Sequence, residues 1–160
     1  MQVPIDQNFP EPILNSLTPF VQEIEFLPVR KIASHLPHVD DRELLIELHN
    51  RNFTWLVTLN YKMLLNPVEL AAIIATKINV FAIEGLGHDP IRATGVLLMH
   101  LTPAIEEINR SGRNGIFWIR HRQLLVHDPW NLFVKAAEHH NTNPNALYDE
   151  VKVSNERLRP

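Results

Sequence analysis

Phe53-Thr54-Trp55-Leu56-Val57-Thr58 is an unbroken run of apolar and β-branched residues. A strand with one solvated face alternates polar and apolar side chains. A run without that alternation suits a strand covered on both faces, as in a parallel sheet. Ile78 to Ile83 is a second run of the same kind. Between the two, Asn66-Pro67-Val68-Glu69 opens a helix: an Asn cap, Pro in the first turn and Glu three residues after the cap. That helix is expected to continue through Ile73 and Ile74 to about Lys77. Before the first run, Asp40 and Glu43 have the same cap spacing, and Leu44, Leu45 and Leu48 form a buried helical face.

The alternation extends outward from this centre. Val3-Pro4-Ile5 is a short strand ending at Asp6, and Pro10 and Pro12 open a helix with Ile13, Leu14, Leu17 and Val21 inward. Ile24 to Leu27 reads as a second strand stopped by Pro28, followed by a polar crossing that holds Arg30, Lys31, His35 and His38. Downstream, Ile91 to Ile108 predicts a long helix bent at Pro103. Ile116 to Ile119 and Leu124 to Val126 predict a hairpin, and Asp128-Pro129 caps a helix through Ala137. Strands alternating with helices argue for an α/β, three-layer fold with a mostly parallel central sheet flanked by helices. Residues 1–140 are expected to form one domain, with 141–160 as a C-terminal helix or tail.

At 160 residues and 45% hydrophobic, the chain is large enough for a real core. It contains no cysteine, which excludes disulfides, thiolate metal sites and a cysteine nucleophile. A formal net charge of -3 supplies no general attraction for nucleic acid, so an RNA partner needs a local basic patch. The opening residues lack the basic and apolar regions of a signal peptide, and no apolar run approaches the roughly 20 residues of a membrane span. The expectation is a soluble, cytoplasmic protein with no membrane partner. Nine histidines raise the question of zinc, but His35 and His38 lie in a Pro-containing loop and His139-His140 are adjacent, so no zinc spacing results.

Open α/β sheets bind ligands beyond the carboxyl ends of their strands. Asp6 and Asn60 follow two such ends, and Asp41 begins the helix leading into the strand before Asn60. Three short oxygen-bearing side chains from separate segments suit a hard cation such as Mg²⁺. Taken singly, each also has a structural reading: Asp6-Gln7-Asn8 as a turn, Asp40 and Asp41 as caps, Asn60 as a loop residue.

Three motifs in register resemble the PIN-like family. Ile5-Asp6-Gln7-Asn8-Phe9-Pro10 is similar to its opening Asp-Glu-Asn motif, Asp41-Arg42-Glu43-Leu44-Leu45 to its second acidic motif, and Leu56-Val57-Thr58-Leu59-Asn60 to its third, Thr-x-Asp. Asn66-Pro67-Val68-Glu69 resembles a segment in a branch of VapC-type toxins, and the match spans roughly residues 2 to 100. The resemblance implies an endoribonuclease dependent on Mg²⁺ or Mn²⁺, usually the toxin of a toxin–antitoxin pair. Asp6 and Asp41 carry over as metal ligands, Asn60 takes the place of a third acid, and Asp40 and Glu43 are possible substitutes for it. Glu84, after the strand ending at Ile83, is a further candidate to supply charge, or else a solvated loop acid.

Gln7 and Asn60 depart from the family, each replacing an acid by an amide of nearly the same shape. That pattern fits a weakened or repurposed domain ahead of an enzyme disabled on purpose, because the resemblance does not make the Gln7 position an essential ligand in many PIN-like chains. Implied partners are an RNA substrate, a cognate antitoxin that blocks the acidic cleft with a basic side chain, and a second copy in a homodimer formed through the first helix or near Trp130. For RNA, the basic cluster is Arg110, Arg113, Arg120, His121 and Arg122, with Tyr61 and Lys62 beside the site. The competing function is a non-catalytic PIN-like interaction module. A small-molecule hydrolase or transferase finds no nucleophile elbow, phosphate loop or dinucleotide fingerprint here.

Overall fold

Among the described residues, β1 (Gln2–Ile5), β2 (Glu25–Pro28), β3 (Trp55–Thr58), β4 (Asn79–Ile83), β5 (Ile116–Arg120) and β6 (Gln123–His127) form one sheet. The structure is a computed structural model describing residues 1–7, 9, 11–17, 19, 23–121 and 123–159, with residue 17 described by its backbone alone. The strand order is β2-β1-β3-β4-β5-β6, parallel throughout except for the antiparallel β5–β6 hairpin. Among the described residues seven α-helices accompany it: α1 (Glu11–Leu17), α2 (Val29–Ile32), α3 (Asp41–Asn50), α4 (Pro67–Thr76), α5 (Pro90–Ser111), α6 (Pro129–His139) and α7 (Pro144–Val151).

The continuous apolar runs are buried on both faces because helices cover both. Along a strand, successive side chains point to opposite faces. Leu56, Val80 and Ala82 therefore pack with Leu48, Leu70 and Phe133 on the α3, α4, α6 side. Trp55, Val57, Phe81 and Ile83 pack with Leu14, Leu97 and Leu101 on the α1, α5 side. The result is the three-layer α/β arrangement with a mostly parallel sheet. No described helix is long and apolar enough to cross a membrane.

The helix starts follow the cap chemistry. Asp40 accepts from the Glu43 N–H at 2.7 Å, Asn66 from Val68 at 3.0 Å and Asp128 from Asn131 at 3.0 Å. Differences from the sequence expectation are local. The crossing over residues 29–39 holds α2 and a 3₁₀ turn, Leu36–His38, anchored by Val29 and Leu36. Both elements are shorter than the window in which periodicity is visible. Helix α5 continues through Pro103 as one helix and ends at Gly112, whose φ of 64° gives a left-handed cap. On α1, Leu14 is buried, and Val21 lies outside the described residues.

Residues 141–159 are packed onto the domain. Tyr148 meets Trp130 and Phe133 edge-on, at 5.3 and 5.4 Å between ring centres, and Val153 is buried. Arg42 donates to the Lys152 carbonyl at 3.2 Å, and Arg157 forms an ion pair with Glu43. On the two segments named for a homodimer, Leu14 of α1 lies in the core and Trp130 packs against Phe133 and Tyr148.

Candidate functional site

Helices that connect parallel strands run back along the sheet, so α3 and α4 both begin at its carboxyl edge. The strand order reverses between β1 and β3: the chain moves outward from β1 to β2, then crosses to build β3, β4 and β5 on the other side. A crevice opens at such a switch point. Here β1 and β3 pair at Ile5↔Val57, and the Asp6 N–H donates to the Val57 carbonyl at 2.9 Å.

At this edge Asp6, Thr58, Asn60 and Asp41 form one hydrogen-bonded chain. The Thr58 hydroxyl donates to Asp6 Oδ2 at 2.9 Å and accepts from the Asn60 backbone N–H at 2.8 Å. Asn60 Nδ2 then donates to Asp41 Oδ2 at 2.7 Å. The other Asp6 oxygen accepts from the Gln7 N–H at 2.6 Å, so a buried carboxylate is held at both oxygens. Three segments separated by 52 and 19 residues are brought together.

The electrostatics of this edge are one-sided. Burial raises the Asp41 carboxyl above its usual value, and the charges of Asp6 and Asp40 push it further, against the Asn60 hydrogen bond. Glu69, three residues into α4, is pushed up to about 7, first by burial and then by Asp41, with Asp40 adding to it and Asn66 opposing. None of the ion pairs among the described residues involves Asp6, Asp40, Asp41 or Glu69. Glu69 reads in the sequence as a capping residue. Its membership of the acidic cluster follows from α3 and α4 starting side by side, which no spacing within the motif reveals.

The donor set meets a hard cation partway. Among the described residues, no group of three or more His, Asp or Glu side chains is arranged to hold one ion. Mg²⁺ usually takes one or two carboxylates and keeps several waters, so Asp6 and Asp41 with Asn60 beside them fit that mode. Uncompensated like charge at Asp41 and Glu69 is the condition a divalent ion relieves.

The remaining candidates scatter. Asp40 caps α3 and acts on the site through its charge. Glu43 is engaged by Arg157, and Glu84 lies 3.4 Å from Arg120. Gln7 is exposed, and Asn8 and Arg122 lie outside the described residues. The Tyr61 ring stacks on Trp118 at 6.2 Å, while Lys62 borders a shallow recess with Asn60, Gly87 and His88. The basic cluster divides: Arg110 and Arg113 precede β5 at the amino edge of the sheet, and Arg120 ends β5 at the carboxyl edge. At about 3.3 Å per residue the strand keeps its two ends well over 10 Å apart. Only Arg120 of the described arginines in that cluster shares the edge with Asp6.

No protein-family model, curated protein or solved structure matches this chain.

Proposed function

We propose that this chain is a metal-dependent endoribonuclease of PIN type, the toxin of a toxin–antitoxin pair, with a site weakened at Gln7 and Asn60. The observation that carries the reading is the meeting of Asp6, Asp41 and Asn60 at the switch point, through Thr58, in the order the motifs require. When bound, Mg²⁺ or Mn²⁺ activates a water and stabilises the leaving oxygen of a phosphodiester. Asp6 and Asp41 are the residues that would hold the ion. Asn60 orients Asp41 by its amide but contributes no negative charge, which lowers the attraction for a cation. Glu69 stores a proton near neutral pH beside Asp41 and so eases repulsion in the metal-free crevice. Lys62 and Arg120 are two cations of this edge that would meet a phosphate backbone.

The amide at position 60 favours a second reading, a non-catalytic PIN-like module whose acidic crevice receives a basic antitoxin side chain. Calorimetry with Mn²⁺ on the chain, Asp41→Ala and Asn60→Asp, with an RNA cleavage assay alongside, separates the two. The nuclease reading expects binding that Asp41→Ala removes and Asn60→Asp strengthens, with cleavage gained in the latter. Strengthened binding without cleavage supports the module. Absence of Mn²⁺ binding in all three chains overturns the metal-site assignment.

A further inference from the structure

A second site-like feature lies on the same sheet, between the β5–β6 hairpin, α6 and the 3₁₀ turn Tyr61–Leu65 that follows Asn60. It is a cavity of about 430 Å³, within the range of small-molecule pockets. Leu64, Leu125, Leu132 and Ala136 make its apolar wall. Its polar lining among the described residues is of a different kind from the acidic crevice: Trp118, His127, Arg120, Lys135 and His139, with no carboxylate, amide or hydroxyl side chain.

Two of these groups are unsatisfied. Trp118 is 6% exposed, and its indole Nε1–H has no acceptor among the described residues. The Nε2 atom of His127 is likewise buried without a partner. A buried donor left unpaired costs roughly 1–3 kcal/mol, so a ligand acceptor that reaches the indole N–H, closed to solvent in the free chain, recovers that cost. The rings of Trp118 and His127 lie 6.1 Å apart, and the Arg120 guanidinium sits 5.5 Å from the Trp118 ring centre. Arg120 is partly neutralised by Glu84 at 3.4 Å. Lys135 has no carboxylate within ion-pair distance among the described residues, so its charge is uncommitted.

We infer that this cavity binds a small amphipathic anion, an apolar body carrying one carboxylate, with the acid held by Lys135 and the Trp118 indole N–H. The chemistry of the lining selects that class. A nucleobase edge presents donors as well as acceptors, and among the described side chains of the lining only the imidazoles of His127 and His139 offer its donors an acceptor. A carboxylate presents acceptors only, which is what an indole N–H and an ammonium require. The apolar wall takes the remainder of the molecule out of water. This inference does not depend on the acidic crevice binding metal.

The test uses the full chain labelled with ¹⁵N and follows the indole N–H signals of its three tryptophans, Trp55, Trp118 and Trp130. Trp118→Phe identifies the relevant signal by its loss. Octanoate is titrated against 1-octanol, which has the same chain length without the charge. Octanoate is expected to shift the Trp118 signal saturably and to bind about tenfold more tightly than octanol. Lys135→Gln, at an exposed position that leaves the wall intact, is expected to abolish that preference and leave octanol unchanged. Ala136→Leu, which fills the cavity, is expected to weaken both ligands. An unmoved Trp118 signal overturns the assignment, as does equal binding of octanoate and octanol, or a preference that survives Lys135→Gln.

Discussion

The acidic crevice and the apolar cavity stand near one another and are opposite in chemistry. Tyr61 links them: it follows Asn60 in the chain, and its ring stacks on Trp118. On one side Asp6, Asp40, Asp41 and Glu69 gather without an ion-pair partner among the described residues; on the other Lys135 and Arg120 border leucines and an unpaired indole. The difference lies in what builds each wall. The crevice is assembled from two strand ends and two helix starts, positions where short polar side chains are favoured. The cavity is walled by a hairpin and the flank of α6, where burial demands apolar side chains. Like charge brought together at the crevice works against folding, whereas packing behind the cavity favours it. The two regions should therefore answer to different variables, charge and pH in one, volume in the other.

The largest effect is expected at Phe133, which is fully buried behind the cavity and stacks on Trp130. Phe133→Ala should cost about 3–5 kcal/mol in chemical denaturation, by the same amount in mildly acidic and mildly basic buffer. A loss that changes markedly with pH would break the division between the regions. Asp41→Ala should lower Mn²⁺ affinity by about a hundredfold, about 2.7 kcal/mol, in calorimetry. Its metal-free stability near neutral pH should hold or rise, since the residue removed is a half-buried acid beside Asp6 and Asp40.

Glu69→Gln sharpens the comparison through its sign. The folded carboxyl is raised from 4.5 to about 7, so between those values the native chain keeps a proton that the unfolded chain has released. Native stability then falls as pH rises through that window and levels off above it. Removing the titration should make the variant more stable than the parent near pH 8 and nearly equal to it near pH 4. With solvent screening of a half-buried group allowed for, the gain should be at most about 2 kcal/mol. Added Mn²⁺ should narrow the gap by stabilising the parent, and a gap unchanged by pH would remove Glu69 from the acidic cluster. The smallest effect is expected at Glu43, whose ion pair with Arg157 is partly exposed. Glu43→Gln should cost less than about 1 kcal/mol and leave Mn²⁺ binding alone; lost binding would show that Glu43 serves the site.

By itself the sequence determined the buried runs at residues 55–58 and 79–83, the caps at Asp40, Asn66 and Asp128, and the β5–β6 hairpin. These are legible because burial on both faces, cap chemistry and hairpin turns are properties of a few consecutive residues. It also named Asp6, Asp41 and Asn60 as a group, through motif order and their place at element ends. Only the tertiary structure decided that the strand order reverses between β1 and β3, and that Thr58 bridges Asp6 to the Asn60 backbone. It likewise brought Glu69 into the acidic cluster, divided Arg113 from Arg120 across the sheet, engaged Glu84 with Arg120, and packed residues 141–159 onto α4 and α6. The cavity around Trp118 gave no sign in the sequence, because its lining comes from three separate stretches with no motif in common. The physical reason is the same throughout: local patterns specify what a segment buries and where it starts, while the crossovers decide which ends of distant segments share one edge.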